Sequence, residues 1–333
     1  MTGAAGSLGR RVADRLLARP QVQAVLAVDV VPQPGHDRLE AHCLDLCLSG
    51  AQEELAAVAK EADAFLHLAW GAARGGNLEA LGNVLGAAAA VRPRQLVHLS
   101  SATVYGAWAD NPVPLTEEAA LRPNPGLAYA VEKKAAEACV ARWSAEHPEV
   151  AVAVLRPACT VGPGSAPLYR ALAAGNRPPL GSEGRLVQYL HLDDLAQAVV
   201  HVWERGLSGT YNVAPDNGVG EEVAGALLGG PARLPLPRRA RALLSAGRWD
   251  LWRRGAPPGA RPYGEHSWVV SSDKLRATGW RPQYSSEEAL VVSDERPHWD
   301  ELPAMWRRWA ALAAGAALAG TGAGGLWLWR RRR

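Results

Sequence analysis

Short apolar runs alternate with longer stretches rich in alanine and leucine through the first half of this chain. Four runs predict buried parallel strands over Ala24–Val30, Ala64–Leu68, Gln95–Ser100 and Val150–Leu155. The stretches around them predict helices over Leu8–Ala18, Glu53–Glu61, Asn77–Ala90 and Ala128–His147. Strands and helices that alternate in this way indicate an α/β fold with a doubly wound parallel sheet.

A glycine-rich segment, Thr2–Gly9, opens the first helix. Its glycines at positions 3, 6 and 9 are spaced as in a Rossmann turn, where backbone amides at a helix N-terminus hold a pyrophosphate. Such a turn follows a buried strand of about five residues, yet Thr2 follows Met1 directly. The predicted Rossmann sheet therefore lacks its first, central strand. We expect that the true start lies upstream, with Met1 in place of the last residue of that strand.

The character of the sequence changes after Arg156, where prolines become frequent. We predict an NAD-binding Rossmann domain over residues 1–160, to which 186–203 return, and a smaller C-terminal substrate lobe made of 161–185 and 204–292. Residues 293–333 form a separate tail.

Tyr129 and Lys133 lie four residues apart in a segment of strong helix formers, so they share one helix face. The lysine ammonium can then lie beside the phenol and lower its pKa from the usual value near 10. Ser101 follows the apolar run that ends at Ser100. A phenol tuned in this way is a proton-transfer group, and beside a dinucleotide turn it suggests nicotinamide chemistry.

Asp29 ends the apolar run that follows the glycine turn. A carboxylate at this position can accept hydrogen bonds from the adenosine ribose and repel a 2′-phosphate, which favours NAD over NADP. Arg10 and Arg11 lie close enough to the turn to keep NADP as an alternative.

Charge and cysteine content exclude several classes of partner. The net charge is +3, and much of the excess is the terminal run Arg330–Arg333, so we expect no nucleic-acid partner. Four irregularly spaced cysteines predict neither a disulfide framework nor a metal site. No apolar signal segment opens the chain, so we expect the enzyme half in the cytoplasm.

Residues spread in order along most of the chain resemble the extended short-chain dehydrogenase/reductases, and more narrowly the NAD-dependent epimerase/dehydratase family. The resemblance rests on Thr2–Gly9, Asp45 with Leu46, His67–Ala69, Asn77, Ser100–Gly106, Tyr129 with Lys133, Leu155–Pro157, Gly162–Gly164, His191–Ala196, Tyr211–Val213 and Gly279–Pro282. It covers residue 2 to about residue 292.

The resemblance implies a role for each matching position. Gly3, Gly6 and Gly9, with the amides around Ser7 and Leu8, would hold the pyrophosphate, and Asp29 the ribose. Other cofactor contacts would come from Asp45, Leu46, Leu68, Ala69, Asn77 and Pro157. Lys133 would hold the nicotinamide ribose, Tyr129 would exchange a proton with a substrate hydroxyl, and Ser101 would hydrogen-bond the same oxygen. The family also implies a homodimer formed through the helix that bears Tyr129 and its neighbour.

Three departures from the family pattern narrow the chemistry. Ala102 and Thr103 stand where sugar 4,6-dehydratases carry an Asp-Glu pair, which disfavours elimination of water. Cys159 replaces an asparagine that contacts the substrate diphosphate in many nucleotide-sugar epimerases. Trp70 places a bulky apolar ring beside the site, which suits a less polar substrate or a tighter pocket.

The stretch Trp309–Trp329 carries no charged residue and has arginines on both sides. Its length is about that of a membrane-spanning helix, although it is mostly alanine and glycine. A membrane contact through this tail, at the cytoplasmic face, and an amphiphilic or disordered appendage are both open.

The sequence thus predicts an NAD-dependent oxidoreductase or epimerase acting on a secondary alcohol or ketone, with a nucleotide sugar as one small-molecule substrate class. One alternative is a reductase or dehydrogenase of a lipid-like or polyketide-like ketone. The other is a non-catalytic sensor that binds the dinucleotide.

Overall fold

The computed structural model of the chain describes residues 1–35, 37–71, 76–165, 185–216, 218–220, 223–224, 227 and 258–293. Within these, the N-terminal half alternates strands and helices as β1 (Val25–Asp29), β2 (Leu39–Cys43), β3 (Ala64–His67), β4 (Gln95–Leu99) and β5 (Ala151–Pro157) with α1 (Ser7–Leu17), α2 (Ala51–Val58), α3 (Asn77–Val91) and α4 (Ala128–Glu146). Each of the four predicted strands and four predicted helices is present, with boundaries within a few residues of the expected ones.

The strands form one parallel layer that is interrupted at its centre. β1 pairs with β2, and β3, β4, β5 and β9 (Gly209–Val213) pair in that order. Thr2 bridges the two groups, because it pairs with Val28 of β1 and with His67 of β3. The chain therefore has a doubly wound Rossmann sheet, with Met1 and Thr2 alone at the position of its first strand.

The sequence did not reveal β2, because it carries little apolar periodicity. Its residues read Leu39, Glu40, Ala41, His42 and Cys43, and only Leu39 is buried. The strand stands at the edge of the sheet, where one side needs no partner and polar side chains meet water.

Side chains alternate between two apolar clusters, one on each face of the sheet. Ala27, Leu66 and Val97 join the cluster formed with α1 and α5 (Leu192–Glu204). Their neighbours Val28, Phe65 and Leu96 join the cluster formed with α2, α3 and α4. Burial on both faces explains why these strands are continuous apolar runs.

The remaining elements follow β5 in the chain. β6 (Cys159–Val161) pairs with β8 (Tyr189–His191) in parallel, and β7 (Leu186–Val187) pairs with β10 (Val219–Gly220) in antiparallel. Two short helices follow, α6 (Asp273–Ala277) and α7 (Ser286–Val292). The division into a Rossmann domain and a substrate lobe stays a prediction, since Met1–Ser293 form one compact unit.

No helix within the described ranges is long and apolar enough to cross a membrane. The predicted tail segment 309–329 lies outside the described residues.

Candidate active site

The glycine turn packs against the end of β3 without room for side chains. A Cβ on Gly3, whose φ is +74°, would lie 2.6 Å from the backbone nitrogen of Ala69, and a Cβ on Gly9 would lie 2.1 Å from the Gly3 carbonyl oxygen. Gly6 caps α1, which begins at Ser7, and no side chain among the described residues caps it. The first amides of α1 are therefore available to an anion.

Asp29 lies beside the turn, as the sequence predicts. Its Oδ2 accepts a 2.9 Å hydrogen bond from the Ala5 amide, and its Oδ1 accepts one of 3.0 Å from Val31. Asp45 follows β2 and accepts a hydrogen bond from the Cys47 amide, and Leu46 beside it is buried. These residues line up along the carboxyl ends of β1 and β2.

Asn77 joins three segments at the other side of the turn. Its Oδ1 accepts a 2.8 Å hydrogen bond from the Gly71 amide, and its Nδ2 donates to the Gly71 carbonyl and to Glu132 of α4. Asn77 therefore fixes the loop after β3 against the helix that bears Tyr129. The structure gives it a positioning contact, and its predicted cofactor contact stays a prediction.

Tyr129 and Lys133 meet at the carboxyl ends of β3 and β4. The Lys133 ammonium lies 5.9 Å from the centroid of the Tyr129 ring and donates a 2.6 Å hydrogen bond to the Leu99 carbonyl. Ser101 stands two residues after Leu99, fully buried, and its Oγ accepts hydrogen bonds from the amide and hydroxyl of Thr103. The three predicted catalytic residues thus come from one strand end and one helix.

Burial dominates the electrostatics around Lys133. Loss of water lowers the pKa of this ammonium well below its usual value, while the charges of Glu137 and Glu132 act in the opposite direction. His67 and His98 lie stacked on the paired strands β3 and β4, and burial lowers the pKa of His67 to about 3. Both imidazoles are therefore neutral at pH 7.

A buried polar network that the sequence did not predict holds α4 against β5. The guanidinium of Arg156 donates to Glu137 at 2.6 Å and to the Tyr105 hydroxyl at 2.7 Å. That hydroxyl in turn donates to Asn212, and Ser100 donates to Glu137. The available signal was Glu137 itself, a charged residue one helical turn after Lys133 on the face that is buried.

Asp194 lies in the first turn of a helix and connects that helix to a distant segment. α5 begins at Leu192, and the imidazole of His191 accepts the capping hydrogen bond from the Asp193 amide. Asp194 instead accepts hydrogen bonds from the amides of Gln283 and Tyr284. This carboxylate therefore ties α5 to the segment before α7, a contact that no local pattern encodes.

Residues of the turn fit a dinucleotide. The cradle at Gly3 and Gly9 excludes any Cβ, the amides at the start of α1 attract anions, and the carboxylate of Asp29 stands beside them. Leu68 and Ala69 border the same turn, and Pro157 ends β5 two strands away. Among the described residues no cluster of histidines, cysteines or carboxylates could hold a metal ion.

Comparison with known proteins gives a family and a fold. Residues 1–214 match the model of the NAD dependent epimerase/dehydratase family. An uncharacterized protein from Mycobacterium tuberculosis is 29% identical over 239 residues, which are 65% of this chain and 61% of that protein. The chain therefore aligns with less than two thirds of the length of this relative. A hybrid PKS-NRPS synthetase from Macrophomina phaseolina is 30% identical over 69% of this chain and 6% of its own length.

Two solved structures of similar fold are sugar-nucleotide enzymes. A UDP-glucose 4-epimerase from Thermus thermophilus, in complex with NAD, has a TM-score of 0.65 at 22% identity and covers 88% of this chain and 96% of its own. A dTDP-glucose 4,6-dehydratase from Streptomyces venezuelae has a TM-score of 0.63 at 22% identity, with coverage of 88% and 94%. At this identity the likeness concerns the fold.

Proposed function

This chain belongs to the NAD dependent epimerase/dehydratase family, and on that premise we propose that it acts on a secondary alcohol or its ketone, as an epimerase or as a dehydrogenase. The cluster of Tyr129, Lys133 and Ser101 beside the glycine turn carries the proposal. Gly3 abuts Ala69, and the next residue, Trp70, contacts both Tyr129 and Lys133. The phosphate cradle and the proton-transfer group therefore share one edge of the sheet.

Each residue of the cluster has a distinct task in this proposal. Tyr129 exchanges a proton with the substrate oxygen, because a phenol beside a cation reaches its phenolate form more easily. Ser101 donates a hydrogen bond to the same oxygen, and Lys133 supplies the cation and binds the nicotinamide ribose. NAD, when bound at Gly3, Gly6, Ser7, Leu8 and Gly9, supplies the acceptor and donor of hydride.

A nucleotide sugar is one substrate class, and the sugar-nucleotide enzymes of the same fold support it. Elimination of water is not part of the proposal, because Ala102 and Thr103 provide no acid and base pair and both are buried. The reaction would then be epimerisation or simple oxidation.

A lipid-like or polyketide-like ketone is the second substrate class, and two observations favour it. Trp70 presents a half-buried indole beside Tyr129, which provides an apolar wall. Cys159 is fully buried in the apolar core, so no amide stands at this position to bind a substrate diphosphate. The similarity to a hybrid PKS-NRPS synthetase points the same way.

Cofactor exchange and a single substitution test the function. We expect purified protein to bind NAD in preference to NADP, and tightly retained NAD would indicate an epimerase while rapidly exchanging NAD would indicate a dehydrogenase. Nucleotide sugars and hydrophobic ketones are screened through the absorbance of reduced nicotinamide. Tyr129→Phe should lower turnover about 10²- to 10⁴-fold and leave NAD binding intact.

Tyr211→Phe is the matched control, because that hydroxyl donates to the Ser208 carbonyl away from the cluster. Equal turnover in wild type and Tyr129→Phe, with any substrate found, would contradict a catalytic role for Tyr129. NAD binding without turnover of any screened substrate would favour a sensor.

The remaining assignments extend the same proposal. Residues 1–160 and 186–203 bind the cofactor, whereas 161–185 and 204–292 bind the substrate.

A homodimer would form through α3 and α4, whose exposed Leu78 and Val131 are apolar. We place the enzyme in the cytoplasm because no disulfide occurs among the described residues, and a membrane contact through the tail remains part of the proposal.

A further inference from the structure

Trp70 occupies a special position in this cluster. It follows the last residues of β3 on the chain, and its indole ring lies 3.5 Å below the Lys133 ammonium, measured to the ring centroid. The same ring stands edge-on to Tyr129, with centroids 6.2 Å apart and planes at 82°. Trp70 therefore contacts both members of the proposed proton-transfer pair.

The surroundings of Lys133 increase the energetic contribution of its contact with the Trp70 ring. The ammonium has lost nearly all contact with water, and it donates a hydrogen bond to the Leu99 carbonyl. Glu132 and Glu137 on its own helix favour the charged form. His67 and His98, from the strands packed below, are neutral and offer no compensating negative charge. A ring face beneath a desolvated cation is a favourable partner, because its quadrupole is negative there.

We propose that Trp70 is a positioning residue, which holds the Lys133 side chain as a cation beside Tyr129 through a cation–π contact. The inference rests on the proposed function only in giving Lys133 and Tyr129 a catalytic purpose. The contact itself is a property of the folded chain and can be measured without any substrate.

Nuclear magnetic resonance of the lysine side chains tests the contact directly. The chain has only four lysines, Lys60, Lys133, Lys134 and Lys274, so each ε-amine can be followed. Lys133→Arg identifies the Lys133 signal. In Trp70→Leu the pKa of Lys133 should fall by about one unit, because the partner of the cation is lost. Trp70→Phe should give an intermediate value, and Lys134 should not respond.

A purely steric role for the ring predicts the opposite order. If Trp70 only shields Lys133 from water, the smaller leucine admits water and the pKa of Lys133 rises in Trp70→Leu. A rise, or no change in either variant, would overturn the proposal. Trp108→Leu is the matched control, because Trp108 is also half-buried but donates its hydrogen bond to the Arg122 carbonyl. Should Trp70→Leu fail to fold, Trp70→Phe alone still decides, since its pKa must lie below that of wild type.

Kinetics separate this inference from the proposed function. With a substrate in hand, Trp70→Leu should move the limb of the kcat profile that reports proton transfer to higher pH, with a smaller effect on KM. A changed lysine titration in a protein that turns over no alcohol or ketone would support the contact and refute the function. A normal titration in an active enzyme would refute the contact and keep the function.

Discussion

The glycine turn at the start of α1 has no room for one added methyl group at Gly9. Gly9→Ala would place a Cβ 2.1 Å from the Gly3 carbonyl oxygen, a distance that forces the turn to open. We expect a loss of about 1–3 kcal/mol or more in the free energy of unfolding, together with loss of NAD binding. Thermal melts with and without NAD measure both effects.

Gly82→Ala provides the control for this prediction. Gly82 is exposed within α3, and among the described residues no atom outside its own stretch of helix lies within 4 Å of a Cβ placed there. Alanine should raise the stability of the helix by about 0.5–1 kcal/mol and leave NAD binding unchanged. Equal melting temperatures for the two alanine variants would contradict the predicted clash.

Neutral histidines in the core make stability depend on pH. Burial lowers the pKa of His98 well below 6.5, and among the described residues neither of its ring nitrogens has a hydrogen-bond partner. The unfolded chain therefore binds a proton that the folded chain rejects, so stability falls as the pH falls below about 6.5. Between pH 7 and pH 5 this one residue should cost about 2 kcal/mol.

His98→Phe keeps the ring and removes the titration. Its free energy of unfolding, from urea melts, should fall less between pH 7 and pH 5 than that of wild type, by about 2 kcal/mol. An unchanged pH slope would show that His98 has the same pKa in the folded and the unfolded chain, and would contradict the prediction.

At the scale of elements, the centre of the sheet is incomplete beyond Thr2. Since Thr2 pairs with both neighbours, β1 and β3 are held two strand spacings apart, about 9.5 Å. A cavity of about 640 Å³ lies between them, with Leu16 and Trp203 on one side and Leu55 and Val84 on the other. Met1 lines this cavity, and its backbone nitrogen donates a 2.7 Å hydrogen bond to the Leu26 carbonyl.

An apolar strand joined to Met1 should fill this gap. A Leu-Val-Leu-Val extension would pair with the edges of β1 and β3 and bury apolar side chains on both faces. We expect an increase of about 2 kcal/mol or more in the free energy of unfolding. Hydrogen exchange at the amides of Leu26 and Leu66 should slow as well.

A Ser-Asp-Ser-Asp extension is the control for the strand, because polar side chains cannot enter an apolar gap. Identical exchange rates with both extensions would exclude strand insertion.

For the whole molecule, Met1–Ser293 form a compact unit by themselves. A chain that ends at Ser293 should therefore keep its melting temperature to within a few degrees and keep its stabilisation by NAD, about 2.7 kcal/mol at a hundredfold excess over Kd. Calorimetry of the full and shortened chains measures this, and sedimentation with vesicles shows whether residues 294–333 add a membrane contact. Failure of the shortened chain to fold would show that the tail contributes to the core.

The local spacing of residues in the sequence was enough to predict four strands, the glycine turn and the Tyr129 and Lys133 pair. The runs that became β1, β3, β4 and β5 are apolar on both faces, so their period is visible without knowing their neighbours. The glycines of the turn and the pair Tyr129 and Lys133 are also local patterns, because helix geometry fixes which residues share a face.

Contacts between distant segments came only from the tertiary structure. The ring of Trp70 under Lys133, the pair Glu137 and Arg156, and the bonds from Asp194 to the segment before α7 depend on the order of strands and the packing of helices. The edge strand β2 also became visible only in the tertiary structure. Its place in the sheet makes it a strand, whereas its own side chains show no strand pattern. A sequence fixes what each element can bury, whereas the fold decides which charge, ring or carbonyl then stands beside it.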